Sequence, residues 1–561
     1  MEQMRLLLAV VLSFLVFVVW QWLVVEPEMA KQAQENAIVA EKTASSDNAT
    51  QETETAPAQV REEPAPAPAP AQPIRPMDTG RTARTISVET PLYSATLSEK
   101  GGVVDSLVLK QYRENSNADS PLKNMILEKA RGINMTSGWA GQSVAGMEDA
   151  LYALDTQDEK ILINDDNKTI TFQWLNQDGV RVEKQYLFHP DSYLIELKMT
   201  VSNNSSTTIK DRPVVTVAQV ISDPESRLAF EGPMALMGNH LEEIKVKDIE
   251  EKPEISGNFR WVGLTDRYFM TVLIPEMAVD GGTLKMEKIG DDMVISSLVM
   301  PEMEIAPGKS HVFDYKAFIG PKDTETLKIA NYDLSEAVNF GMFDILAKPF
   351  LWIMNQIYKV LPNYGIAIII LTLITKIILW PLGNKSYKSM NDMKRMQPLM
   401  AEIREKHKDD KKKMNEETMA LYRTYKINPM GGCLPMVVQL PVFFALYRML
   451  YQAIELRHAP FFGWINDLSA PDRLFEFGFS IPFMEPPYGI PVLTIVMGAT
   501  MFLQQKMSPP PGDPTQAKMM MFMPLIFTFI FINFSSGLVL YWLINNVFSI
   551  GQQYYIQKKF A

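Results

Sequence analysis

One lysine carries the chemistry this sequence offers. The apolar stretch from Tyr364 to Leu382 holds a single full charge, Lys376, with Thr372 one helical turn before it. An ammonium at the centre of a bilayer costs roughly 2.5–3.5 kcal/mol on insertion scales, so it needs water, a partner or a route to the interface. Two fates are open on the residues alone. Leu382 lies six residues on, about 9 Å along a helix, and the lysine stem can carry its head much of that way to the lipid headgroups. Alternatively, Lys376 is the fixed positive charge of a wet cavity on the cytoplasmic side.

The other apolar stretches contain patterned polar groups. Tyr541, Asn545, Ser549 and Gln552 recur at steps of four, four and three, one stripe of a helical surface. Gln439, Thr500 and Gln504 add single polar groups on two further stretches. Hydrogen bonding between helices accounts for each residue taken singly. Taken together with a lysine that no Asp or Glu in these stretches can neutralise, the set reads as a hydrated groove. Met497, Met501, Met507, Met519, Met520, Met521 and Met523 gather beside it. Flexible thioethers suit both ordinary packing and a surface that accepts many apolar sequences.

Several reaction classes lack their residues. Cys433 is the only cysteine, which excludes an intrachain disulfide and a cysteine-based zinc site. His189, His240, His311, His407 and His458 all lie outside the apolar stretches, and neither His-Glu-x-x-His nor a phosphate-binding glycine loop occurs. No catalytic residue, cofactor or metal site is assigned. The net charge of −11 argues against a general nucleic-acid binder, yet Lys385 to Lys426 holds twelve basic and seven acidic residues. A basic loop on an acidic chain marks the cytoplasmic side of a membrane.

The elements that must position these groups follow from composition and period. Leu6 to Val25 is long and apolar enough for an anchor, predicted over 1–26. Residues 27–80, rich in Pro, Ala, Glu and Gln, read as a disordered linker. From 81 to 331 short alternating strands and turn clusters, such as Asn176-Gln177-Asp178-Gly179 between Ile170–Leu175 and Val180–Phe188, predict a large β-sandwich. Over 332–362 Phe343, Leu346, Phe350, Met354, Ile357 and Leu361 recur at helical spacing, an amphipathic helix on the outer membrane surface or under the β-domain.

The core, 363–561, is predicted to hold five spans: the Lys376 stretch, then Pro429–Ala453, Tyr488–Lys506, Met519–Phe534 and Leu538–Ile556. With the anchor they place both termini in the cytoplasm and the β-domain in the periplasm. Between the first two core spans, 384–428 reads as a cytoplasmic hairpin of two amphipathic helices, one from Tyr387 to Ile403, joined at His407 to Asp410. Met519–Phe534 covers only sixteen residues, about 24 Å of helix against a hydrocarbon core near 30 Å. So short a span can be met by local thinning of the bilayer.

Blocks of sequence carry a resemblance: Asn428-Pro429-Met430-Gly431-Gly432-Cys433-Leu434-Pro435, Gln439-Leu440-Pro441-Val442-Phe443, Gln505-Lys506-Met507-Ser508-Pro509, Phe522-Met523-Pro524 and Ser536-Gly537-Leu538-Val539-Leu540-Tyr541-Trp542. In this order the chain resembles the YidC/Oxa/Alb membrane protein insertases in their Gram-negative form. The resemblance implies a polytopic α-helical inner-membrane protein, with an N-terminal anchor, a five-span core, a periplasmic all-β supersandwich domain and a cytoplasmic helical hairpin. It also implies an insertase and chaperone rather than an enzyme. Its partners would be nascent membrane proteins, the ribosome, the Sec translocase and membrane lipids.

The family's groove arginine aligns with Lys376, which keeps the charge and loses the planar guanidinium. Its groove threonine falls on Thr372, and its substrate-contacting aromatic near Tyr541 or Trp542. Two rival readings remain. A transporter is expected to show internal repeats and intramembrane carboxylates, and neither is visible. A tethered periplasmic carbohydrate-active enzyme would need an acid–base pair, which the spacing does not assign.

Overall fold

The computed structural model describes residues 82–560 apart from 118, 223–228, 409, 426–433 and 508–513. The expected anchor over 1–26 and linker over 27–80 lie outside the described residues.

Alternation shapes the first half. In strand Val180–Phe188 every second residue is buried, the period of a pleated strand. The strand pairs antiparallel with Lys168–Leu175 and with Leu194–Asn203. At the turn leading into it, the Asn176 side-chain oxygen accepts the Val180 N–H at 2.7 Å and Gly179 takes φ +92°. Such a turn favours glycine. A 13-stranded antiparallel sheet contains these strands, and a 5-stranded sheet built on Val103–Arg113 and Tyr93–Ser98 shares its core. Trp261, Phe172, Tyr186 and Phe318 are among the largest side chains buried there.

Lys184 interrupts the inward face of Val180–Phe188. Its Nζ donates to the Gly101 carbonyl at 2.7 Å and stands 5.1 Å from the Tyr152 ring centre, while the Tyr186 hydroxyl donates to the Gly102 carbonyl at 2.7 Å. These bonds tie the tight turn at Gly101-Gly102 of the smaller sheet to the larger one. Burial pushes the ammonium down to about 7.

Nine helices of seven or more residues are described after the strands of these two sheets. Helix α1 (Thr324–Ala330) is capped by Asp323, whose side chain accepts the Thr326 N–H. In α2 (Asp344–Val360) Ala347, Leu351 and Met354 are buried while Ile345, Trp352 and Val360 are exposed, an amphipathic arrangement.

Helix α3 (Tyr364–Arg395) has 32 residues and, among the described residues, is the one helix long and apolar enough to cross a membrane by length and composition. It corrects the expected break after Leu382. Pro381 lies inside it, and the helix continues past Gly383, where an added Cβ would meet the Gln552 amide at 2.8 Å. The helix expected from Tyr387 to Ile403 is therefore divided. Its first part belongs to α3, and α4 (Gln397–Lys406) starts afresh with Pro398 in its first turn, where a missing N–H is harmless. Helix α5 (Lys411–Thr424) follows Asp410, whose Oδ1 accepts the Lys413 N–H at 3.0 Å. Met396, Met400 and Tyr422 form a small core between α4 and α5.

The remaining helices are α6 (Leu434–Gln452), α7 (Val492–Met507), α8 (Pro514–Ile530) and α9 (Ser536–Phe560). The sixteen and seventeen residues of α7 and α8 reach about 24–26 Å. Helix α7 starts at Val492 rather than at the expected Tyr488, because Gly489–Ile490 pairs with Leu474–Glu476 as a short strand ribbon. Asp472, buried, caps α7 from twenty residues upstream: its carboxylate accepts the Leu493 N–H at 2.7 Å and the Thr494 hydroxyl at 3.1 Å. A second core, including Leu351, Leu371, Leu446, Met449, Leu538 and Tyr541, joins α2, α3, α6 and α9.

The two cores meet at a polar seam. Arg267 donates Nε to the Tyr451 carbonyl at 2.8 Å and stacks 3.6 Å from that residue's ring centre. The Glu455 carboxyl accepts from Thr324 Oγ1 at 3.2 Å and from Asn355 Nδ2 at 3.0 Å. Burial raises its pKa to about 7, outweighing those hydrogen bonds. A raised folded-state pKa favours the protonated form. The stability it contributes is therefore complete below the unfolded value near 4.5 and is lost as pH rises through about 7. The contribution is on the order of 1–2 kcal/mol once screening at the partly exposed edge is allowed for. The thermal midpoint of the detergent-solubilised chain should fall between about pH 4.5 and 7 and level off above, and Glu455→Gln should flatten that fall. An equally steep profile in the variant would remove Glu455 as its source.

Candidate functional site

Helix α3 turns Thr372, Thr375 and Lys376 inward and leaves Ile377 and Ile378 exposed on its other side. The Lys376 side chain is 9% exposed, and its Nζ donates to Ser549 Oγ of α9 at 2.8 Å. Its head therefore ends among the polar groups of α9. Ser549 in turn donates to the Asn545 carbonyl one turn back, at 2.8 Å. Among the described residues no carboxylate faces the ammonium. An ammonium has three N–H donors, and Ser549 accepts one.

Tyr387 completes this cluster. Its hydroxyl hydrogen-bonds with Ser549 and with Gln504 of α7, so three helices meet around Lys376. Further along α3 and α9, Gln552 donates to the Trp380 carbonyl at 3.3 Å and to Asn384 Oδ1 at 3.0 Å. A second group lies on α6 and α9: Gln439 Nε2 donates to Asn545 Oδ1 at 2.7 Å, and Gln439 also bonds with the Tyr541 hydroxyl. Thr500 of α7 donates to its own helix at the Met497 carbonyl and receives a long bond, 3.4 Å, from Asn546.

The structure thus brings together Lys376, Ser549 and Gln504, and separately Gln439, Asn545 and Tyr541. Thr372 is buried with its hydroxyl turned back to the Ile368 carbonyl at 2.7 Å, so it lines up with Lys376 without bonding to it. Trp542 stands apart from both polar groups. Its ring meets Phe443 at 4.6 Å and Phe531 at 5.2 Å in an aromatic cluster.

Sequence reasoning missed Tyr387, Asn546 and Gln553. Tyr387 lies eleven residues, about three helical turns, after Lys376, and would have been found had α3 been read through Pro381. Asn546 and Gln553 are buried beside the stripe that was read, one residue off its period. Among the described residues no three metal-ligating side chains come together. What the arrangement offers is one cation amid amides and hydroxyls, a surface for holding a polar or anionic segment.

The family described as 60Kd inner membrane protein matches residues 356–561, and the YidC periplasmic domain family matches residues 85–353. The membrane protein insertase YidC of Syntrophus aciditrophicus is 40% identical over 563 residues, covering 99% of each chain. That of Pelobacter propionicus is 38% identical over 580 residues, again covering 99% of each. A solved structure of an active YidC insertase, its first transmembrane domain resolved, aligns with 86% of this chain and 94% of its own, at 19% identity and a TM-score of 0.38. With two family matches that together run from residue 85 to the C-terminus, and full-length relatives near 40% identity, this chain belongs to the YidC family of membrane protein insertases.

Proposed function

We propose that this chain moves nascent membrane proteins from the cytoplasm into the inner membrane through a hydrophilic inner-leaflet groove centred on Lys376. The carrying observation is the buried ammonium itself, bonded to Ser549 with no facing carboxylate among the described residues. A charge so placed is stable only if solvent or an incoming anionic group reaches it. A substrate hairpin lodges its short polar outer segment against Lys376, Gln439 and Asn545. Its apolar helix slides into lipid along α7 and α8, where Phe502, Leu503, Phe522 and Leu525 are exposed.

In this reading α3, α6, α7, α8 and α9 span the membrane, after the anchor at 1–26. The linker occupies 27–80, the β-domain 81–331 the periplasm, the helix region 332–362 the outer surface, and the core 363–561. The hairpin within 384–428 stands in the cytoplasm, where its basic face suits docking of the ribosome. Work beside the Sec translocase and contact with membrane lipids complete the scheme, with both termini cytoplasmic.

Site-specific crosslinking tests it. A photoreactive residue at Gln439 or Tyr541 should form adducts with a stalled nascent membrane protein, and one at Ile345, exposed on α2, should not. Adducts from Ile345 alone would place the substrate path elsewhere.

A further inference from the structure

The hairpin closed by the ribbon of Leu474–Glu476 and Gly489–Ile490 leaves three phenylalanine side chains largely exposed. Phe475, Phe479 and Phe483 are 69%, 65% and 79% exposed. The tip is held firmly. Arg473, itself buried, donates to the Pro487 carbonyl at 2.8 Å and to the Ile532 carbonyl at 2.8 Å. Asn533, just beyond α8, donates to the Phe483 carbonyl at 3.0 Å and accepts the Glu485 N–H at 3.0 Å. Phe477 and Phe479 stack with ring centres 5.4 Å apart. These rings are therefore presented by a braced hairpin, and a large exposed apolar patch on a braced element marks a contact surface.

We propose that this hairpin is an interfacial wedge that lies in the outer leaflet of the bilayer, with its rings at the level where headgroups meet acyl chains. The proposal rests on the span arrangement proposed above, which puts the ends of α7 and α8 next to Asp472 and Asn533 at the outer surface.

Continuity with the apolar helix surface names the occupant. Phe483 meets Phe529 of α8 with ring centres 5.6 Å apart. Phe529 and Ile530 are themselves exposed on α8, alongside Ile526. The aromatic patch thus extends the apolar surface of α8 beyond the helix end. Composition agrees. Between Phe477 and Tyr488 the only charged residue is Glu485, and Pro482, Pro486 and Pro487 bring no N–H. A segment with fewer backbone donors loses less hydration on entering the interface. Without a cation in the tip, binding depends on apolar burial, so it is insensitive to salt and to the anionic lipid content, unlike a polybasic anchor.

Spin-label depth measurement decides the matter. The full chain with Cys433→Ser and Phe479→Cys, nitroxide-labelled and reconstituted in zwitterionic lipid vesicles, should show oxygen collisions exceeding those of a water-soluble nickel chelate severalfold. A second label at Phe475→Cys should agree, and one at Met277→Cys, 79% exposed on the β-domain, should show the reverse. Equal ratios with and without anionic lipid support the wedge.

A chelate-accessible label at both hairpin positions overturns it. So does a label shielded from both agents, which would mean that protein rather than lipid covers the patch. Leu525→Cys on α8 separates the two ideas. If that label is buried in lipid while the hairpin labels are aqueous, the wedge fails and the spans stand; if Leu525→Cys is aqueous as well, the span arrangement has failed.

Discussion

Replacing Lys376 with glutamate should lower the insertion of substrates with acidic outer segments by more than tenfold, while Lys376→Arg should stay within about twofold of the original, since 1.4 kcal/mol corresponds to a factor of ten. Two unit charges about 4 Å apart interact by about 4 kcal/mol at an effective dielectric near 20, and by about 2 kcal/mol at twice that separation. Reversal turns attraction into repulsion, so even the longer separation exceeds the tenfold threshold. Arginine keeps the sign. Its planar fork can still meet the single hydroxyl of Ser549, the acceptor that Lys376 uses at 2.8 Å. The measurement is protease protection of a nascent chain in proteoliposomes, with paired substrates whose outer segments differ only in Asp against Asn. If Lys376→Glu inserts the Asp form as well as the original does, electrostatic holding is wrong.

Gly498→Leu should destabilise the core by about 1–3 kcal/mol, the usual range for overpacking a tight contact. A Cβ at Gly498 would lie 2.0 Å from Thr528 Oγ1 and 3.1 Å from Thr528 Cβ. Thr528 cannot easily yield, because its hydroxyl is bonded to the Pro524 carbonyl at 2.7 Å. The glycine is what lets α7 and α8 approach so closely, as small residues do between membrane helices. Thermal midpoints in detergent should fall by several degrees for Gly498→Leu and by less for Gly498→Ala. Adding Thr528→Ala should recover part of the Gly498→Ala loss, a coupling that only contacting residues show. Midpoints unchanged in Gly498→Leu would mean that the two helices are not held in contact there.

Local patterns were readable. The period-two strand Val180–Phe188 and the turn at Gly179 follow from residues near in sequence, and so does the amphipathic α2. Lys376 could be singled out because an isolated charge in an apolar run is conspicuous, and Ser549 and Asn545 because they share a stripe. Which of these would touch was not readable. The Lys376–Ser549 bond joins residues 173 apart, and no periodicity on one helix fixes its rotation against another.

The errors have the same origin. The apolar run stops at Leu382, yet the close approach of Gln552 to Gly383 uses the missing side chain as a packing site and the helix runs on. The start of α7 is set by Asp472 and by the strand ribbon, both contributed from upstream. Lys184 shows the converse, a charged residue on an inward strand position whose partner, the Gly101 carbonyl, comes from another sheet.

The unbroken course of α3 makes it a crankshaft. Arg395 lies nineteen residues beyond Lys376, about 28 Å along one rod, and α4 begins two residues later at Gln397. In the span arrangement proposed above, a partner that holds α4 and α5 is joined to the ammonium through helix alone, with Pro381 and the turn at Met396 as the points where that coupling can give.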